Sequence, residues 1–265
     1  MNAKTVLTYM FKTKSCFFKY LIGALLLIPV SLSNIFSPHN VYTQIIPFIK
    51  DIPSEYLQWI YWILFAAGML LFLFVGGYNV KTLNTRIHKP DAELPEWTDF
   101  KSLFICTLKV IAIYLLSSVI IFFVFLILTI INVITVSIFS KAPINILVII
   151  SSSVSFIITS LLIAIIIPAA IMAFGTNLQI SSFLNGKLIL NIVKENKLKY
   201  LICVVSCTVL YVISLSISLL SMSKYFWVAL IAPFVAYYIN LAMIELMASV
   251  PRLDKKEYES QTAEE

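Results

Sequence analysis

Two charged residues, Lys109 and Glu245, stand inside long apolar runs of this 265-residue chain. A charge at the centre of a bilayer costs about 2.5–3.5 kcal/mol on insertion scales, so such residues call for a structural or functional reason. Glu245 precedes the end of its run at Val250 by about 7.5 Å of helix, and Lys109 lies about 12 Å past Lys101, at 1.5 Å per residue. Both depths place them in the same half of the layer. Paired, they would keep each other charged; alone, the carboxylate takes up a proton or each side chain snorkels separately to the headgroups. Lys109 and Glu245 are therefore the candidate intramembrane ion pair. The remaining reactive residues form no constellation. Cys203 and Cys207 are one helical turn apart but have no histidine or carboxylate near them, which suits packing better than zinc. Cys16 and Cys106 fall near the same ends of their segments, and acylation of Cys16 rests on its location alone. His39 and His88 lie in connections, far from a second acid–base group. With no catalytic pair, metal set or phosphate loop, the expectation is a protein that is not an enzyme and binds no cofactor and no metal.

The elements that carry these residues are six apolar runs, Tyr20 to Phe36, Leu57 to Val75, Val110 to Val133, Asn145 to Ala173, Leu201 to Met222 and Phe226 to Val250. A hydrocarbon core of about 30 Å takes roughly 20 apolar residues as helix, and none of the runs carries a polar stripe that would face water. The first is short and the fourth long; Pro168 can break the fourth near one end. The fold class expected is an all-α polytopic membrane bundle of six transmembrane helices. Fifteen basic residues fall before the first run, in the second-to-third and fourth-to-fifth connections, and in the tail, against only Lys50, Lys141 and Lys224 on the other side. The positive-inside rule then puts both termini in the cytoplasm. The net charge of +6 is explained by topology and attraction to anionic lipid, with no nucleic acid partner implied. The N-terminal run also has the shape of a secretory signal with a cut after Ser33; if it is retained there are six spans, and if removed five. The organisation expected is a basic cytoplasmic N-terminus over 1–19, a membrane domain over 20–250 and a charged, disordered cytoplasmic tail over 251–265.

Two cytoplasmic connections read as amphipathic interfacial helices. In Leu94-Pro95-Glu96-Trp97-Thr98-Asp99-Phe100, proline suits a first helical position and the acids suit the first turn. Trp97, Phe100, Leu103 and Phe104 then recur at helical spacing, with Trp97, Phe100 and Phe104 as interfacial anchors. In the second connection Lys187, Asn191, Lys194 and Glu195 make one polar stripe, and Phe183, Leu184, Leu188, Ile189, Ile192 and Val193 cover the rest; Phe183 and Tyr200 are its anchors. Both connections could be simple elbows or recruiting surfaces.

The stretch from Leu21 to Pro29, Gly77-Tyr78, Leu94-Pro95-Glu96-Trp97 with Phe100 and Phe104, and Lys109 together resemble an uncharacterised prokaryotic multi-pass membrane family, domain of unknown function 4013. Phe183, Ile189, Ile192, Asn196 and Tyr200 are similar to an element that this family shares with membrane domains attached to some glycerophosphodiester phosphodiesterases. The resemblance spans about Leu21 to Val250. The chain departs from the pattern at Cys106-Thr107, where an acidic residue followed by glycine is expected, and in a long connection from Ser37 to Glu55. It implies the fold and a prokaryotic plasma membrane, and no activity.

Gly77-Tyr78-Asn79-Val80 and Gly175-Thr176-Asn177-Leu178 suggest a weak internal repeat of helix, elbow and helix, as in parallel-repeat transporters. Ser151, Ser152, Ser153 and Ser155, with Ser214, Ser216, Ser218 and Ser221, allow close helix approach or wet a shallow outward cavity. The leading reading is a protein that organises a membrane partner, or its own homo-oligomer, through its cytoplasmic elbows, with the lipid bilayer as its other partner. A small-solute or lipid-linked transporter is the alternative, supported by the repeat and by Pro29, Pro168 and Pro233 within spans.

Overall fold

The computed structural model describes residues 13–36, 53–90, 92–138, 144–221 and 226–251. Among these, every regular element is helical: α1 (Lys14–Leu26), α2 (Ile28–Ile35), α3 (Ser54–His88), α4 (Phe100–Ile138), α5 (Ile144–Asn177), α6 (Ile180–Phe183), α7 (Gly186–Glu195), α8 (Lys197–Ser221) and α9 (Phe226–Ala248). Five helical stretches are long and apolar enough to cross a membrane: Lys14–Ser33, Ser54–His88, Phe100–Ile131, Lys197–Ile217 and Leu230–Ala248. The fourth expected span lies in α5, a 34-residue helix in which the apolar stretch found among the described residues is Ile163–Asn177. His39, Lys50, Lys141, Lys224, the connection from Ser37 to 52, and the tail beyond Pro251 lie outside the described residues, as do the side chains of Ser151, Ser155, Ser218 and Ser221.

Prolines shape two of the spans differently. Pro29 cannot donate to the carbonyl four residues back, and the chain turns at Leu27, which separates α1 from α2 while its own N–H bonds to Ala24 O. Pro168 does not break the fourth run, because α5 continues through it. The Tyr200 hydroxyl of α8 donates to the carbonyl of Ile165, one turn before the proline, and so supplies a bond where the helix ladder is weakened.

α9 is the most buried of the apolar helices and packs on α8, α1, α2 and α3. α4 packs mainly on α3 and α5. The core is concentrated at one end of the bundle, where Cys16, Tyr20, Tyr78, Leu83, Ile87, Trp97, Leu103, Tyr237, Leu241 and Ile244 form one apolar cluster. A second cluster joins Ala169, Met172 and Ala173 to Ile192, Tyr200, Cys203 and Leu246. Toward the other end α4 turns wide apolar surface outward, including Phe122, Phe123, Phe125, Ile130 and Ile131, as lipid contact requires.

Close approach of the backbones depends on glycine. A Cβ on Gly77 would overlap the Thr107 hydroxyl and come within 2.7 Å of Thr107 N and 2.8 Å of Leu103 O, so α3 and α4 are in backbone contact there. Its neighbour Gly76 would meet only Val110 Cγ1 at 3.6 Å. Gly77→Ala is therefore expected to destabilise the protein by about 1–3 kcal/mol, whereas Gly76→Ala should be neutral or stabilising by about 0.5–1 kcal/mol through helix propensity. Unfolding in detergent by heat or denaturant measures both; equal losses would remove the close-contact argument.

Candidate functional site

The last turn of α5 runs from the buried Phe174 and Gly175 to the exposed Asn177, and its last carbonyls have no helical donors. Side chains from two neighbouring helices supply them. Asn84 Nδ2 donates to Gly175 O at 2.8 Å and to Thr176 O at 3.0 Å, and His88 Nε2 lies 2.5 Å from Thr176 O. Lys109 Nζ donates to Leu178 O at 2.8 Å. Leu178 has φ 56°, the left-handed cap conformation usually filled by glycine, and its N–H bonds back to Phe174 O at 2.8 Å. Lys109 thus fixes a strained helix end and places a cation where the helix dipole favours one.

Glu245 has a different partner. Its carboxylate lies 3.1 Å from Arg86 Nε, and the two side chains retain only 14% and 2% of their exposure. The ion pair expected between Lys109 and Glu245 does not form, because each charge has a nearer group that meets its need: a helix-end carbonyl for the ammonium and a buried guanidinium for the carboxylate. Arg86 was assigned by sequence to a connection. α3 continues to His88 and carries it into the interior, where it also donates to the carbonyl of Pro90. The run of polar and basic residues from Lys81 to Lys89 gives no sign of that depth; the signal is the helical register that aligns Leu83 and Ile87, both buried, beside Arg86.

The segment after α3 folds back over the same end. Lys19 Nζ donates to Leu94 O at 2.7 Å and pairs with Glu96 at 2.5 Å and Glu93 at 3.7 Å. Trp97 Nε1 returns a bond to Lys19 O at 2.9 Å, and the Tyr78 hydroxyl donates to Pro95 O at 3.0 Å. The rings of Tyr78 and Trp97 stack with centroids 3.8 Å apart and 3° between planes. Pro95 to Asp99 is therefore not helical, and Trp97 is no headgroup anchor: it is 7% exposed and belongs to the core. The helix starts at Phe100, after Asp99, whose carboxylate accepts from Ser102 N at 3.3 Å and from Lys81 Nζ at 2.6 Å. Those two bonds, Lys81 first, hold the exposed Asp99 carboxyl below its usual range.

The other expected anchors divide. Phe100 and Phe104 are exposed, at 65% and 55%, whereas Phe183 and Tyr200 are buried in the core. α7 exposes Lys187, Asn191, Lys194 and Glu195 and buries Ile192. His88 is not an exposed connection residue but the partly buried last residue of α3. Cys203 and Cys207 have sulfurs 3.9 Å apart in the second cluster. The proposed repeat is not matched in position, since Gly77 to Val80 lies within α3 while Gly175 to Leu178 closes α5. Further along the bundle, α2, α3, α4, α8 and α9 enclose a cavity of about 390 Å³, with Ser31, Phe72, Tyr114, Tyr211, Pro233 and Asn240 in its lining.

A family model described as "Protein of unknown function (DUF4013)" matches residues 60–248. Comparison with curated proteins and with solved structures gives no match.

Removing one member of a buried ion pair leaves the other charged and unpaired, at a cost of about 3–5 kcal/mol, whereas replacing both by apolar residues is close to neutral. Glu245→Leu alone should therefore unfold in detergent far more readily than Arg86→Met combined with Glu245→Leu. Equal instability of single and double variants would show that the pair is not the governing interaction. Trp97→Ala should cost about 3–5 kcal/mol as a core truncation, and Trp59→Ala, 70% exposed, much less. Asp99 stabilises the folded state above the ordinary carboxylate pKa and loses that contribution as pH falls through its lowered value, so Asp99→Asn should flatten the acid limb of a melting profile.

Proposed function

Because the chain belongs to the DUF4013 family, its function has to be argued from its own geometry, and we propose that it is a non-enzymatic integral membrane protein that holds a membrane partner against a rigid cytoplasmic face. In this reading it spans a prokaryotic plasma membrane six times with both termini inside. α7 and the segment 92–99 lie along the inner surface. The observation that carries the reading is the use made of polar groups at the basic end of the bundle. Lys19, Tyr78, Asn84, Arg86, His88, Trp97 and Lys109 all contact main-chain carbonyls. Groups committed in this way fix a surface and are poorly placed to turn over a substrate. The exposed residues on that surface, Lys187, Asn191, Lys194, Glu195, Lys197 and Lys199, offer hydrogen bonds and charge to a partner.

The alternative is a small-solute or lipid-linked transporter. The cavity among α2, α3, α4, α8 and α9 supports it, since transporter sites lie near the bilayer midplane.

Crosslinking and affinity purification from native membranes tests the first reading. A stoichiometric membrane protein should copurify with the wild type and be lost from Lys187→Glu with Lys194→Glu, while the double variant keeps its melting temperature. Absence of such a partner, together with solute flux by the purified protein in vesicles, would favour transport. Orientation is tested separately by membrane-impermeant thiol labelling of intact cells in a background lacking the native cysteines. Single cysteines placed at Lys141 or Lys224 should react, and those placed at Lys89 or Lys194 should not; the reverse pattern would invert the topology.

A further inference from the structure

We propose that the cavity of about 390 Å³ is a binding site for a neutral membrane amphiphile, one with a hydrocarbon body and a single hydroxyl or carbonyl head. Four features specify that chemistry. The first is depth. Asn240 precedes Val250 by about 15 Å of helix, and Tyr114 lies about 20 Å past Lys101, so the cavity sits near the middle of a layer about 30 Å thick. Molecules that reach that depth are chiefly apolar.

The second is charge. Leu27, Val30, Phe72, Ala232, Ile239 and Met243 provide most of the apolar wall, and among the described residues no lysine, arginine, aspartate, glutamate or histidine lines the cavity. An anionic or cationic head would be buried there without a counter-charge, which is strongly unfavourable. The occupant is therefore uncharged.

The third is the amide of Asn240. It lines the cavity and makes no hydrogen bond to protein among the described residues. The hydroxyls of Tyr114 and Tyr211, which also line it, donate to no protein group among those residues either. A primary amide in hydrocarbon without a partner costs several kcal/mol on alkane scales. One donor–acceptor group on an otherwise apolar ligand satisfies it, and the phenols offer a second bond. Pro233, two turns away on the same helix, withholds the N–H that would otherwise bond to the carbonyl of Ala229.

The fourth is access. α4 and α8 both line the cavity without being principal packing neighbours, and Tyr114 and Tyr211 keep 53% and 59% of their exposure. The opening lies between two membrane-facing helices, so a lipid-borne molecule enters sideways from the bilayer. The volume falls in the range of small-molecule sites, about 300–1,000 Å³.

The proposal is independent of whether the basic face recruits a partner. It is tested with a long-chain alcohol carrying a diazirine, added to the full-length protein in phosphatidylcholine vesicles and photolysed, with the matching fatty acid anion as control. The alcohol should attach to peptides containing Tyr114, Tyr211 or residues 232–243, and excess unmodified alcohol should compete. Ala236→Leu and Ala236→Phe, which fill the cavity in steps, should reduce that labelling progressively, to about one-tenth for the larger. Asn240→Leu should require about fivefold more probe, the loss expected for one hydrogen bond. Melting temperature and monodispersity identify any variant that has not folded, and Ala232→Leu then replaces it. Labelling spread over outward faces of α4 and α5 and unchanged in folded cavity-filling variants would overturn the proposal. So would fatty acid anion labelling the same peptides as strongly as the alcohol.

Discussion

A helix that ends against packed neighbours must find donors for its last carbonyls, and the half-buried end of α5 imposes that requirement on the helices around it. A carbonyl withdrawn from water without a donor costs up to about 1–3 kcal/mol. Asn84 and His88 on α3 and Lys109 on α4 are spaced to reach Gly175 O, Thr176 O and Leu178 O. For those side chains to arrive, α3 must continue as helix beyond its apolar run to His88, and the backbones must come close. Gly77 permits the backbone approach of α3 to α4, and Gly175 leaves room on α5 for the Leu83 side chain, whose Cδ2 would lie 2.7 Å from a Cβ there.

The Arg86–Glu245 pair follows from the same extension of α3. Once the helix is held against α5 through Asn84 and His88, residue 86 faces inward toward α9, and its charge is buried whether or not it is favourable. Glu245 supplies the counter-charge, and the carbonyl of Pro90 accepts a further bond from the guanidinium. Burial of this kind adds little net stability compared with an apolar pair of equal volume, but it penalises any packing that separates α3 from α9. The segment 92–99 closes the remaining gap. Its carbonyls at Leu94 and Pro95 accept from Lys19 and Tyr78, and Trp97 covers Tyr78 face to face.

The apolar runs were legible because a hydrocarbon layer imposes a length and a composition that few other environments impose. The roles of individual polar residues were not. Lys109 and Glu245 were recognisable as costly, since each interrupts an apolar run, yet nothing in a linear pattern states which partner is nearest. Arg86 was missed because it lies among Lys81, Asn84, His88 and Lys89, a composition that reads as a solvated connection. Trp97 was read as an interfacial anchor for a related reason: a tryptophan among acids and a proline has the composition of a membrane surface. Its position in the core depends on Tyr78, nineteen residues earlier, and on Lys19 O from another helix. Phe183 and Tyr200 read as interfacial anchors because amphipathic periodicity identifies an apolar face without saying whether lipid or protein covers it. Phe100 and Phe104, with the same periodicity, are outward.

The two ends of the bundle obey different rules, and the cavity lies where they meet. At the basic end, Gly77 brings α3 within backbone reach of α4, Gly23 and Gly175 make room for the side chains of Tyr237 and Leu83, and the interior is filled by Tyr78, Tyr237, Trp97 and Arg86. α1, α3, α5 and α9 are held there. Beyond that region α4 and α8 are not principal packing neighbours, and the polar side chains Asn240, Tyr114 and Tyr211 line space that the described residues do not fill. A fully rigid bundle would have no reason to place an asparagine at that depth, and a loosely packed one could not hold it in position. The tight end therefore sets the geometry of the open one: by fixing α3 and α9 through Arg86 and Glu245, it fixes Phe72 and Asn240, which stand on the same two helices about four turns and about one and a half turns away. A change at the basic face that separates α3 from α9 would be transmitted along both helices to the cavity walls, which gives the surface and the cavity a mechanical connection through two rigid elements.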